Sequence, residues 1–427
     1  MQKIREALKR HPHAILLPCI WLITLIAFFP TFFNDFQMEW DDQWMVVNPF
    51  TIGHLNWDLI VEIFTTPFNG QWGPLNQIMY TLIYNIWGFN PMAFHLVSLA
   101  IHMLNIMLVY VLLNKILIEC TPLSERRRLK IILITSTLFA IHPLQVETIA
   151  WVSASKILLS STFYLSSAYA LTNYLSNKRN IFYVFSLVLF LLSYLCKEQV
   201  VVFPLFTTLI VVWFGIQVGT QRFILVLTPI YLMSLVMCLH EVFYVANYHL
   251  YIQGETYNWW KRLIFAFYSL ATYLLKWLFP IRLNWMYHFP FGINDTIALW
   301  VYAYPVLVCI MISSIWRWLS KPIILSATLF FLIHLLLVLH IIILPRGAIV
   351  ADRYMYLSVI GLNFFIAYFL TAKNLIIPKG CRVLILSLLF GTCVAISFYR
   401  TKDWKDSQTL RNIKTKQKNI VLVQNLF

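Results

Sequence analysis

The sequence predicts an all-α integral-membrane protein: a polytopic bundle of about eleven transmembrane helices, with short interfacial helices in its outer loops. Three observations carry that expectation. Of 427 residues, 60% are hydrophobic and only 11% charged, against about 25% charged in an average soluble chain. The mean hydropathy is +0.74, so the outer faces of its helices have little polar surface to show water. Apolar runs of near-spanning length recur along the chain, separated by short basic segments. These features exclude a set of soluble domains, a disordered chain, a collagen and a disulfide-stapled secreted module.

A helix needs about 20 apolar residues to cross a bilayer. The candidate spans are 14–33, 93–118, 131–143, 156–175, 181–196, 199–218, 222–244, 297–316, 322–344, 355–372 and 382–399. The basic start, Lys3 to Arg10, precedes the first run. No small-residue cleavage site follows, so that run is expected to be retained as a span. Holding the start in the cytoplasm and alternating puts Arg126-Arg127-Arg128 and Lys178-Arg179 inside. Residues 263–280 are apolar too, and as a crossing they would invert everything after them. Laid along or dipping into the outer surface, they leave Arg317, Lys321, Lys373, Lys379 and Arg382 inside. The basic tail from Arg400 to Lys418 then falls outside, against the positive-inside rule. In this arrangement 14 of the 17 acidic residues lie outside, all but Glu6, Glu119 and Glu125. Acidic residues hardly set topology, so the skew asks for a functional cause.

The organisation expected is one multi-pass module, 1–399, followed by a short basic tail, 400–427, with no repeat domain. The first outer loop, 34–90, mixes Asp35, Glu39, Asp41, Asp42, Asp58 and Glu62 with Trp40, Trp44, Trp57, Trp72 and Trp87. The second, 245–296, holds Tyr257, Trp259, Trp260, Trp285 and Tyr287. Such mixtures suit helices lying at the interface. The net charge of +15 is scattered in short runs, which fits loops facing anionic membrane lipids and gives no nucleic-acid partner. The seven cysteines are isolated, with no CxxC, so neither a disulfide frame nor a zinc site is implied.

Several polar motifs interrupt the apolar pattern. Trp40-Asp41-Asp42 follows the first span. In an extended loop its two carboxylates would point to opposite sides, one free to take a proton and the other to orient a substrate or bind a divalent cation. A pair of ordinary solvated acids is the alternative. His142-Pro143-Leu144-Gln145-Val146-Glu147 ends the third run. The proline stops the helix and is expected to leave His142 and Glu147 near the surface; with no third ligand, no metal site is indicated. Lys156 opens the next span, where a lysine can simply snorkel. Cys196-Lys197-Glu198 sits between two apolar runs, as a functional pair or a self-neutralising hairpin tip. Arg346 and Asp352-Arg353-Tyr354 occupy a late outer loop. Arginine's planar fork suits phosphate oxygens, while a plain Asp352–Arg353 ion pair is the bland alternative. Taken together, acids for an acceptor and cations for a phosphate recur on successive outer loops, and a lipid carrying a sugar on a phosphate would use both.

The order of these motifs resembles the multi-pass C-class glycosyltransferases, specifically the membrane part of the transmembrane and tetratricopeptide-repeat O-mannosyltransferases and their bacterial relatives. The resembling pieces are Trp40-Asp41-Asp42, Trp87-Gly88-Phe89-Asn90-Pro91, Phe94-His95-Leu96 and His102-Met103-Leu104-Asn105. Phe139-Ala140-Ile141-His142-Pro143 with Glu147, Ala150-Trp151-Val152-Ser153, Lys197-Glu198 and Asp352-Arg353-Tyr354-Met355-Tyr356-Leu357 complete the series, over about residues 14–427. Relatives carry Tyr-Arg-Pro-Leu where this chain has Trp72-Gly73-Pro74-Leu75, and Gly-Arg-Lys-Asp where it has Ala154-Ser155-Lys156-Ile157. Two arginines are therefore missing, which touches the choice of donor.

The resemblance implies a polyprenyl-phosphate-sugar-dependent glycosyltransferase acting at the outer membrane face with inversion. The acceptor would be a hydroxyl on a protein, or on a lipid or glycan. Asp41 matches the first acid of the family's pair and is the expected base, with Asp42 and Glu147 shaping the acceptor side. Lys156, Lys197, Arg346 and Arg353 are expected at the donor phosphate, and His142, Glu198, Asp352 and Tyr354 elsewhere around the substrates. A non-enzymatic transporter or flippase of lipid-linked sugars is the rival from another class, but it would carry mid-membrane ionisable groups and internal repeats. A bacterial inner membrane is favoured over the endoplasmic reticulum.

Overall fold

The computed structural model describes residues 12–214, 220–245, 257–342, 347–372, 375 and 377–413. Among them every extended element is a helix, and pairing of strands is limited to an isolated bridge, Phe68 with Gln71. The helices are α1 (Pro12–Phe28), α2 (Trp57–Thr65), α3 (Pro74–Trp87), α4 (Pro91–Cys120), α5 (Glu125–Ile141), α6 (Val146–Ala150), α7 (Ser155–Asn177) and α8 (Asn180–Tyr194). They continue as α9 (Phe203–Phe214), α10 (Thr220–His240), α11 (Trp259–Leu278), α12 (Ala303–Leu319), α13 (Pro322–Leu335), α14 (Met355–Leu370) and α15 (Lys379–Asp403).

Six described helical stretches are long and apolar enough to cross a membrane: Ile15–Phe33, Pro91–Cys120, Phe223–Phe243, Leu299–Leu319, Asp352–Leu370 and Lys379–Asp403. A seventh joins them if α5 and Pro143–Ala150, which meet at 49°, count as one span. Asn180–Tyr194, Glu198–Phe214 and Pro322–Val338 are shorter apolar helices. Large apolar side chains such as Leu22, Leu225, Val236, Ile310 and Leu388 face outward, while the apolar interior also holds buried Ser, Thr, Asn and His side chains. A polar network stitches α4, α5, α7 and α14. His102 joins the Tyr356 hydroxyl (2.8 Å) and the Ala140 carbonyl (3.0 Å), Asn105 donates to Tyr356 and Leu158, and Thr162 donates to Asn105. Where lipid offers no hydrophobic drive for association, such bonds and close packing hold helices together. Gly361 serves the packing: a Cβ there would collide with the Ala327 carbonyl of α13.

Local chemistry sets the helix ends. Gly88 takes φ +62, open to a residue without Cβ, and the Asn90 side chain then caps α4 by accepting from Met92 N (3.1 Å), with Pro91 in the first turn. Pro143 ends α5, as expected.

The bundle has two chemically different ends. At one, Arg127 donates to the Tyr368 carbonyl and lies over its ring, while Arg382 donates to Leu370 and Ala372. At the other, residues 34–39 meet the end of α15. Asn34 donates to Thr401 O, Asp35 N to Lys405 O (2.7 Å), and Glu39 pairs with Arg411 (2.5 Å). Asp352, at the head of α14, binds Arg400 (2.9 Å) there too. So α14 and α15 run from this acidic end to the basic end and back. The last helix continues past the boundary expected at 399, and the segment to Arg411 packs into the module. Helix α11 touches the acidic end along much of its length. Arg262 donates to His340 O, Ser269 to Ile349 O, and the Tyr273 hydroxyl accepts from Ala351 N.

Candidate active site

The loop after α1 carries the acidic pair, and its geometry differs from expectation. Asp41 is not in extended backbone; at φ −64, ψ −20 it begins a single helical turn, Asp42–Met45. The two carboxylates still part, because neighbours on a helix diverge by about 100°. Asp42 turns inward and is fully buried. Its Oδ2 accepts from Gln37 N (2.8 Å), and its Oδ1 accepts from Ser153 N (2.9 Å) and from the Ser153 hydroxyl. Burial pushes its pKa up to about 6, against the pull of those donors. Asp41 stays half-buried, and among the described residues its carboxylate makes no hydrogen bond or ion pair. Its charge acts on Lys156 and Arg353. Beside it, Trp40 packs on Trp285 with centroids 3.8 Å apart.

The 142–156 segment forms the site's floor. His142 and Glu147 were expected near the surface, but both are buried, because the chain turns by only 49° after Pro143 and α6 packs in among α4, α7 and α15. His142 has no free ring nitrogen: Nδ1 accepts from Leu144 N and Nε2 meets the Trp277 carbonyl. Glu147 accepts from Arg353 N (3.1 Å) and pairs with the Arg353 guanidinium. That guanidinium lies between aromatic faces, 5.2 Å from the Trp151 centroid and 5.0 Å from Tyr354. The Arg353 side chain as a whole remains 23% exposed. Asp352 and Arg353 do not pair with each other. Asp352 is held by Tyr287 OH (2.8 Å) and Arg400, which makes it a structural anchor of the same loop.

Lys156, at the head of α7, reaches across to Gln71 and to Met45 Sδ (3.5 Å). The charges of Lys197, Glu198, Asp41 and Arg353 all act on it. Lys197 and Glu198 pair at 2.6 Å. Their turn is docked onto the 34–90 loop through Leu75 N to Leu195 O (3.1 Å), where Gly73 packs under the Cys196 carbonyl. Arg346 lies outside the described residues. Among those residues no three His, Cys, Asp or Glu side chains could hold a metal ion together.

Sequence reasoning missed Gln71 as the Lys156 partner, Gln37 and Ser153 as the donors to Asp42, and Arg400 as the partner of Asp352. A motif placed Ser153, and its hydroxyl beside the bulky Trp151 and Val152 was the one available signal; Gln71 carried none. The arrangement joins a half-buried, unbridged carboxylate to cations held on rigid supports. It can take a proton at Asp41 and steady an anion at Lys156, Lys197 and Arg353.

Comparison with known proteins gives a partial match. Over 133 residues the chain is 28% identical to "Protein O-mannosyl-transferase Tmtc1" of Drosophila melanogaster, which covers 31% of this chain and 14% of that protein's length. No family model matches the chain, and no solved structure does.

Proposed function

We propose that this protein is an integral-membrane glycosyltransferase of the C class, moving a sugar from a polyprenyl-phosphate-linked donor to a hydroxyl, on a protein before a lipid or glycan. The observation that carries the reading is Asp41: a carboxylate with no hydrogen-bonded partner among the described residues, its charge acting on both Lys156 and Arg353. The similarity to a protein O-mannosyl-transferase supports the class of reaction and a protein acceptor. The matched protein is from an animal, so it adds nothing to the bacterial membrane expected from the sequence.

In this reading the acceptor hydroxyl gives its proton to Asp41 as its oxygen bonds to the anomeric carbon. The bond from that carbon to the phosphate oxygen breaks, and its electron pair leaves with the polyprenyl phosphate. One displacement inverts the anomeric centre. Lys156, Lys197 and Arg353 stabilise the charge that the leaving phosphate gains. Asp42 locks the turn that presents Asp41, and Glu147 aims Arg353. The membrane arrangement that fits is eleven crossings, N-terminus inside, with the acidic end outside and α11 lying against the outer surface. Its contacts with His340, Ile349 and Ala351 support that placement of α11.

Asp41→Asn keeps the shape and removes the basicity. It should abolish sugar transfer in purified protein while lipid-donor binding survives. Transfer at the native rate would eliminate Asp41 as the base. Native protein that moves lipid-linked sugar across vesicles without releasing polyprenyl phosphate would establish the flippase instead.

A further inference from the structure

Segment 400–411 makes contacts that the mechanism above does not use. They converge on Trp404, which is 2% exposed. Its carbonyl accepts from Gln37 Nε2 (2.8 Å), and Gln37 N is a donor to Asp42. Its indole stacks on Trp151, centroids 5.7 Å apart and 24° between planes. The Trp151 ring carries the Arg353 guanidinium, and two residues on, Ser153 supplies the other donors to Asp42. One residue thus touches the supports of both halves of the site. Around it, Asp35 N donates to Lys405 O, Glu39 N to Ser407 Oγ, and Arg400 grips the Asp352 next to Arg353.

We propose that Trp404 is a positioning residue that sets the relative placement of the Asp41–Asp42 turn and the Arg353 cation. It acts through Gln37 on one side and Trp151 on the other, and this role rests on the glycosyl-transfer reading. The physical ground is that the base and the leaving-group cation come from loops far apart in sequence. Their spacing must hold to a fraction of an ångström for an in-line displacement. Asp42 ties the first of these loops only to Ser153, in the 150–156 segment, by hydrogen bonds, and Lys156 reaches Met45 across the same seam. The carbonyl and indole of Trp404 add a joint that continues through Trp151 to the Arg353 guanidinium.

The test uses full-length protein in one detergent or nanodisc preparation, with Trp404→Ala, Trp404→Phe and Gln37→Leu compared. Gln37 Oε1 has no partner among the described residues, so leucine removes the bond to Trp404 O together with the longer one to Asp35 O (3.4 Å) and disturbs no donor to Gln37 itself. Two readouts are taken: transfer kinetics with polyprenyl-phosphate-linked sugar, and hydrogen exchange of segments 35–44 and 150–156. Trp404→Ala should speed exchange in both segments and lower kcat by about 100-fold, with donor KM near native. Trp404→Phe should restore most of both. Gln37→Leu should loosen 35–44 alone and cost less in kcat. Native protection of both segments in Trp404→Ala overturns the proposal, as does lost protection with undiminished kcat. If native protein releases no polyprenyl phosphate, the transferase reading falls by itself. The exchange data then decide separately whether Trp404 braces the two loops.

Discussion

Replacing Glu147 by Gln tests the contact that holds the cationic side of the site. The carboxylate is wholly buried and accepts twice from Arg353, from its main-chain nitrogen at 3.1 Å and from its guanidinium. The amide keeps the shape, but one of its ends becomes a donor facing an N–H. One bond is lost and the other loses its charge. A hydrogen bond to a charged group contributes about 1.5–3 kcal/mol. Arg353 stays 23% exposed and stacked on two rings, so water and the aromatic faces offset part of the loss. Glu147→Gln should therefore destabilise by about 1–2 kcal/mol. Arg353→Ala, which strands a buried carboxylate without its cation, should cost about 3–5 kcal/mol. The double variant should be more stable than Arg353→Ala alone, because a neutral amide needs no counter-charge. Unfolding of the four proteins in one detergent at neutral pH measures this cycle. Transfer assays on the same samples should show Glu147→Gln slower by about 10- to 100-fold, its cation present but unaimed. Arg353→Lys should fall between native and Arg353→Ala, since it keeps charge without the fork. Single losses that add to within about 0.5 kcal/mol would refute the coupling. Native turnover in folded Arg353→Ala would remove Arg353 from the leaving-group site.

Asp42, raised by burial to about 6, stabilises the fold below its unfolded value of 3.8 and loses that contribution as pH rises through about 6. Transfer should run the opposite way, falling as pH drops below about 6 because protonation removes an acceptor from Gln37 or Ser153; Asp42→Asn should be slow and lack this limb, and an unchanged limb would assign it elsewhere. In Gly73→Ala the new Cβ would lie 3.0 Å from the Cys196 carbonyl, pressing the Lys197 turn back by a few tenths of an ångström, so the donor KM should rise with little change in melting temperature. Single cysteines at Asn69, Asn258 and Gln408, all exposed, should label from one face in a cysteine-free background and one at Asn177 from the other. Labelling of Asn258 and Gln408 from opposite faces would make α11 a crossing.

The sequence by itself determined the solvent this protein is built for, and most of where its helices start and stop. Hydropathy is a local sum, so a stretch such as 93–118 declares itself without reference to anything else, and α4 covers it. Pro143 and the Gly88–Pro91 turn break helices through their own backbone chemistry, wherever the chain goes next. The residue types of a site were legible too, as acids and cations interrupting apolar runs. Which charge answers which was not. Asp352 and Arg353 are neighbours, yet Asp352 pairs with Arg400, 48 positions on, and Arg353 with Glu147, 206 positions back. Asp42 is held by Ser153 across 111 positions, whereas Asp41 has no such bridge among the described residues. Of the basic segment from Arg400 onward, Arg400 binds Asp352 and Arg411 binds Glu39, pairings that loop charge does not show. An ion pair acts over about 3 Å and needs a defined direction. Only the packing of α6, α14 and α15 against the first outer loop brings these partners within that range.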